Sequence, residues 1–490
     1  MIVRAGRFAA AIGALAAAVW LVVGTGLVNY DTLYSLVWGR ELAQGHTPAV
    51  DIPIAPTPHP LGTLLGVLLA PLSTLSDAGV HGNATTTVTL VLAFLALALL
   101  GWVVYALGAA WFDPWVGALA AVIILTRQPV LDFGARAYID IPYVVLVLGA
   151  LLVETRRPRC GIPVLALLAV AGLIRPEAWL FSGLYVVYLI WAGERGRARI
   201  ARLVAVAAAG PVLWLLADWA IAGDALHSLT GTRDTAKELG RVTGIGEVPL
   251  TAPRRIGEIL REPVLVGAVG GLVLAWLWLR PRVRLAVAAG VISLLAFTLL
   301  AAAGLPILGR YLLLPAAIGA VLCGAGAFGW RALPPGDRRR RPWAWFGAFV
   351  LVLLLVFTPA QVSRIRDLRH ALARQDQIQD DLRALVHAPP GLITPGCAPV
   401  GVPNHRPVPL LALWLDLDPR RVVSAQERRT ARGTYVRPAT PTVAHDYILD
   451  PRDEDQSVAP PPPTFHLAGG NRSWLVYKRC APDVVVLGGE

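Results

Sequence analysis

The stretch RFAAAIGALAAAVWLVVGTGLVNYDTLY, residues 7–34, decides what kind of chain this is. No charged residue stands between Arg7 and Asp31, a run of 23 residues. At ~1.5 Å per residue a helix of that length exceeds the ~30 Å hydrocarbon core of a bilayer. It is long for a signal peptide and has no small-residue cleavage site, so it reads as an anchor. The rest of the chain agrees with it. Of 490 residues, 56% are hydrophobic and 16% charged, and mean hydropathy is +0.59. Soluble domains carry roughly 25% charged residues, so a large soluble protein is excluded.

Outward from that stretch, apolar runs predict spans near 8–28, 86–108, 115–130, 141–154, 161–175, 177–192, 203–221, 263–279, 285–303, 310–330 and 343–360. That is about eleven helices of a polytopic α-helical membrane protein. The apolar segment 59–75 reads as an interfacial or re-entrant helix. The net charge of +12 then has to be divided by membrane side. Up to residue 360 there are 28 basic and 18 acidic residues, and beyond it 16 and 14, so the excess belongs to the spans. Every second gap but the tight turn at 109–114 is arginine-rich: Arg156, Arg157 and Arg159; Arg195, Arg197, Arg199 and Arg202; Arg280, Arg282 and Arg284; Arg331 and Arg338 to Arg341. This places the N-terminus in the cytoplasm and the residues from about 361 outside, with loops 29–85 and 222–262. Loop 222–262 nevertheless carries Arg233, Lys237, Arg241, Arg254, Arg255 and Arg261. The charge is an orienting fringe and no nucleic-acid partner is expected. Two of the 44 basic residues are lysine, a bias expected of a GC-rich, actinobacterial genome.

Residues 361–490 change character. Val362, Ile365, Leu368, Leu372, Ile378, Leu382 and Leu385 recur at helical spacing, ended by Pro389, Pro390 and Gly391. Strand-like runs follow at Arg421–Ser424, Trp474–Lys478 and Val484–Leu487, so a small α/β extracytoplasmic domain is expected. In an oxidising compartment its two cysteines, Cys397 and Cys480, are expected to pair. Cys160 and Cys323 read as packing residues. No His or Cys spacing suggests a metal site. The sequon-like Asn83-Ala84-Thr85 and Asn471-Arg472-Ser473 read as chance matches.

Carboxylates at span ends are few and costly unless paired or solvated, so they read as functional. Asp31 follows the first span, and Asp140 stands in Arg136-Ala137-Tyr138-Ile139-Asp140-Ile141-Pro142. Either residue type also caps helices well. On the same predicted side, Arg175 lies in Gly172-Leu173-Ile174-Arg175-Pro176-Glu177 and Arg310 in Gly309-Arg310-Tyr311. Guanidinium groups there suit a lipid phosphate or headgroup snorkelling, and Glu177 is placed to pair with Arg175. Asp218, inside a span, favours transport instead, as a polytopic transporter or flippase; a membrane anchor for the C-terminal domain is a third reading. No internal repeat supports transport.

The order of these motifs resembles the GT-C superfamily of polytopic glycosyltransferases, which includes protein O-mannosyltransferases and the aminoarabinose transferases of lipid A. The resemblance runs over residues 8–330: Asp31 opening a long loop with Leu42, Gly45 and Pro48; Thr57-Pro58-His59-Pro60-Leu61; Arg136 to Pro142; Gly172 to Pro176; and Arg310 to Pro315. His59 stands between Pro58 and Pro60 where the family has a paired-proline, lysine-containing motif. The resemblance implies Asp31 and Asp140 as the catalytic acids and Arg175 and Arg310 as donor-phosphate ligands. It makes His59, Arg136 and Tyr138 candidates for the acceptor or donor loop; no segment matches a metal-dependent variant well, so no metal or other cofactor is assigned. It implies transfer of a sugar from a polyprenyl-phosphate donor to a glycan, lipid or protein hydroxyl at the outer face of the plasma membrane, with inversion. An outer site has no nucleotide sugar, and the sequence has no Gly-rich phosphate loop.

Overall fold

A computed structural model describes residues 2–73, 83–387, 391–449 and 456–480. The opening stretch forms α1 (Ile2–Val23), and after a six-residue link α2 (Tyr30–Ala43) begins. α3 (Pro60–Ser73) covers the interfacial segment. With 14 residues it is shorter than the ~20 needed to span. α2 and α3 cross at Gly39 and Gly66, where a side chain on either glycine would overlap the other's backbone.

The bundle continues with α4 (Asn83–Trp111), α5 (Pro114–Thr126), α6 (Gln128–Ala135), α7 (Asp140–Arg156), α8 (Ile162–Gly172), α9 (Glu177–Trp191), α10 (Arg197–Ala222), α11 (His227–Glu238), α12 (Val248–Leu260), α13 (Glu262–Trp278), α14 (Arg280–Ala302), α15 (Leu313–Phe328) and α16 (Arg340–Val356). α15 is its axis: nearly every residue from Leu313 to Ala327 is buried, and Gly319, Gly324 and Gly326 admit neighbouring helices. Each expected span falls largely on helix, the first ending at Val23 and not at residue 28. Among the described residues, however, five helices are long and apolar enough to cross a membrane, or eight if three bent pairs count as single spans. α8 and α9, with 11 and 15 residues, fall short, because the apolar run from Ile162 to Trp191 is broken at Arg175-Pro176.

Helix α17 (Thr358–His387) follows α16 after a 43° bend and buries Leu368, Leu372, Ile378, Leu382 and Leu385 of the apolar stripe read in the sequence, while Val362 is exposed and Ile365 half-buried. It leads to a five-stranded mixed sheet ordered β2-β1-β3-β5-β4. The strands are β1 (Val400–Val402), β2 (Val422–Ser424), β3 (Gly433–Pro438), β4 (His466–Gly470) and β5 (Trp474–Arg479), with α18 (Val408–Trp414) between the first two. β1 pairs parallel with β2 and β3, and β5 antiparallel with β3 and β4. Cys397 and Cys480 are joined in a disulfide. The expected strand at Val484–Leu487 and the prolines at 389–390 lie outside the described residues.

Among the described residues two large cores account for most of the interior, beside a small cluster of Leu165, Val186, Leu189 and Leu203. One fills the bundle. The other joins the sheet domain to α2, with Leu33, Leu36, Val37 and Trp38 packed among Leu382, Leu411, Leu413, Val436 and Trp474. Helix α2 is therefore fixed on one side by the C-terminal domain.

Candidate functional site

The start of α2 is built by Asn29. Its Oδ1 accepts from the Asp31 and Thr32 backbone N–H groups at 2.9 and 3.2 Å, capping the helix. Its Nδ2 donates to the Arg136 carbonyl at 2.8 Å, and the Thr32 hydroxyl donates to the Ala137 carbonyl at 2.8 Å. Ala137 holds a positive φ of 52° at this corner. These bonds tie the first turn of α2 to the link between α6 and α7, 105 residues further along the chain. Asp31 thereby sits beside Asp140, the first residue of α7. Neither aspartate is a cap.

A ladder of alternating charges follows. Arg310 Nη2 donates to Asp31 Oδ2 at 3.0 Å, and its Nε faces Asp140 Oδ2 at 3.7 Å. The second oxygen of Asp140 pairs with Arg175 Nη1. Arg175 in turn donates through Nε to Glu177 Oε1 at 3.0 Å. Tyrosines sandwich the cations: Arg175 lies 3.8 Å over the Tyr311 ring and 5.7 Å from Tyr143, and Arg310 lies 5.1 Å over Tyr138. Such contacts contribute roughly 0.5–2 kcal/mol each.

Exposure divides the ladder. The side chains of Asp140, Arg175 and Glu177 are 3–7% exposed, whereas Asp31 and Arg310 are 22% and 21%. Arg310 Nε is buried with no hydrogen-bond partner. Asp140 and Arg175 are thus held by their neighbours, and Asp31 and Arg310 are the members a ligand can reach.

The four residues singled out at the outset are brought together, and Tyr138 joins them. His59 lies at the back of the cluster, its ring edge-on to Trp214 at 5.6 Å. Burial and the nearby Arg175 push its pKa down to about 3, so the imidazole is neutral, with Nδ1 buried and unbonded. Arg136 is engaged through Nε with Asp132 at 2.7 Å, and its carbonyl, not its guanidinium, serves the site. Asp218, the residue that favoured transport, holds the start of α11 by accepting from the Ser228 N–H and hydroxyl at 2.9 and 2.8 Å. Sequence reasoning passed over Asn29, Tyr143 and Tyr311. Tyr311 and Tyr143 stand one and three residues from Arg310 and Asp140, and that adjacency is the signal available for them. Among the described residues, no group of three or more His, Cys, Asp or Glu is placed to hold a metal ion.

Bundle, paired helices and sheet domain together make the fold of a polytopic membrane protein with a small C-terminal sheet domain. Among solved structures, the chain is similar to ArnT from Cupriavidus metallidurans bound to undecaprenyl phosphate, with a TM-score of 0.55 and 15% identity over 96% of this chain and 97% of that one. It is similar also to ArnT from the same organism in the apo state, with a TM-score of 0.52 and 15% identity over 97% and 98%. No family model and no curated protein matches the sequence.

Proposed function

We propose that this protein is a glycosyltransferase of the plasma membrane that moves a sugar from a polyprenyl-phosphate donor to an acceptor hydroxyl on the extracytoplasmic face, where the sheet domain also lies. The carrying observation is the Asp31–Arg310 pair, the accessible end of an otherwise buried ion ladder. The ArnT-like fold, with undecaprenyl phosphate bound in one of those structures, supports the choice of donor.

In this reading Arg310 takes the donor phosphate through its unspent N–H donors. Phosphate competes with Asp31 for the guanidinium and frees the carboxylate. Asp31 then accepts the proton of the acceptor hydroxyl as that oxygen attacks the anomeric carbon. The bond from the anomeric carbon to the phosphate oxygen breaks, and its electron pair leaves with the phosphate. Arg310 stabilises that anion, so no general acid is required. A single displacement inverts the anomeric centre. Asp140 is a positioning residue that holds both arginines, and Arg175 adds buried positive charge behind Arg310.

The test is sugar transfer from a labelled polyprenyl-phosphate sugar. Asp31→Asn keeps shape and loses the base, so kcat should fall about 10²–10⁴-fold with donor binding retained. Arg310→Ala should lose donor binding instead. Wild-type turnover by Asp31→Asn would overturn the assignment.

A further inference from the structure

Three helices of the bundle break at one junction. Arg127 stands at the 65° break between α5 and α6, Arg261 at the 109° break between α12 and α13, and Arg364 in the second turn of α17, after the 43° break from α16. The breaks are stitched to one another. Gln361 Nε2 donates to the Thr126 carbonyl at 2.6 Å, and Arg127 Nη1 donates to the Leu260 carbonyl at 3.1 Å.

Arg127 is 9% exposed, and every bond its guanidinium makes is to a neutral group. Besides Leu260 these are the Ile123 carbonyl at 3.2 Å and the Thr126 hydroxyl at 3.3 Å. The charged groups that bear on it most are Arg364 and Arg261, both of its own sign. The Cys323 side chain that also bears on it is a buried free thiol. Carboxylates on the surrounding helices are occupied or face solvent. Glu258 pairs with Arg254 and Arg255, and Asp132 with Arg136; Glu262 and Asp367 are exposed. Among the described residues, none of the three arginines has an ion-pair partner. A buried cation without a counter-charge is costly, and charge inside a membrane bundle is normally paired.

We propose that Arg127, Arg261 and Arg364 form a binding site for a lipid-borne phosphate, which supplies the missing negative charge where the three broken helices meet. Guanidinium groups match phosphate in geometry and are weakly hydrated, which suits a headgroup at the hydrocarbon edge. None of Asp31, Asp140, Arg175 or Arg310 takes part, so the inference does not rest on the proposed transfer reaction.

The experiment uses the full-length protein in mixed micelles of phosphatidylcholine with increasing phosphatidylglycerol, read by thermal unfolding and by counting retained lipids in native mass spectrometry. The wild-type melting temperature should climb by several degrees as phosphatidylglycerol rises, with a lipid retained. Arg261→Gln/Arg364→Gln, which changes the two more accessible arginines and spares Arg127, should give a flat response. Equal stability in both lipids, or an unchanged response in the double variant, overturns the site. An equal shift from inorganic phosphate overturns the lipid source. Displacement of phosphatidylglycerol by undecaprenyl phosphate at equimolar amounts supports the site and identifies a polyprenyl lipid as its occupant.

Discussion

Asp140 carries more of the site's architecture than its neighbours. Its two oxygens face Arg175 and Arg310, so Asp140→Asn leaves two cations around a neutral amide. Breaking a buried pair costs about 3–5 kcal/mol, and thermal unfolding of the purified variant should show a loss of that order. Asp31→Asn, at the accessible end, should unfold close to wild type. His59 gives a pH-dependent outcome. Its folded pKa lies near 3, below the ~6.5 of an unfolded histidine. Between those values the unfolded chain binds a proton that the folded chain refuses, so stability falls as pH drops through that window and is fully present above it. His59→Gln should flatten part of that fall in melting temperature between pH 6.5 and 4. A slope identical to wild type would remove His59 as its source. Asp31, Asp140, Arg175 and Arg310 stood out in the sequence because charge at a span end is rare. Their mutual pairing did not stand out, because no local spacing relates Asp31 to Arg310.

That pairing is delivered by α2. This helix runs from Tyr30 to Ala43 and ends as Gly45 turns the chain with φ 79°. Its docking is harder to read, because Asn29 looks like a generic cap until its amide is seen to reach Arg136. Asn29→Ala should cost about 1–2 kcal/mol for the lost cap. It should also lower kcat more than it raises KM, since the variant loosens Asp31 and leaves Arg310 in place. An unchanged kcat would mean that the Gly39–Gly66 crossing and the C-terminal domain place α2 without this cap. Hydropathy marks the runs on either side of Arg175-Pro176 as apolar, but not that the helices they form, of 11 and 15 residues, are each short for a crossing. In the C-terminal domain β5 and β2 were readable from their β-branched and aromatic runs. β1 and β4, with Gly401, Gly469 and Gly470, lack such a run and are strands only because neighbours pair with them.

The sheet domain is more than an appendage, because one core includes it and α2 together. Arg40 is the clearest link. Its side chain is 4% exposed and pairs with Asp416 at 3.1 Å, while Nη1 and Nη2 donate to the Ala412 and Leu417 carbonyls at 3.1 and 2.9 Å. A helix that begins at the candidate base thus ends clamped to the turn after α18. Arg40→Ala leaves those carbonyls without their donor and Asp416 without its counter-charge, at a cost of about 2–4 kcal/mol. Lysine reaches one of these acceptors at a time, so Arg40→Lys should recover only part of the loss. If the domain positions α2, Arg40→Ala will lower sugar transfer and open the segment around residues 414–421 to protease, although no residue of the ion ladder has changed. Normal transfer alongside a loosened domain would instead mean that the bundle alone sets the position of Asp31.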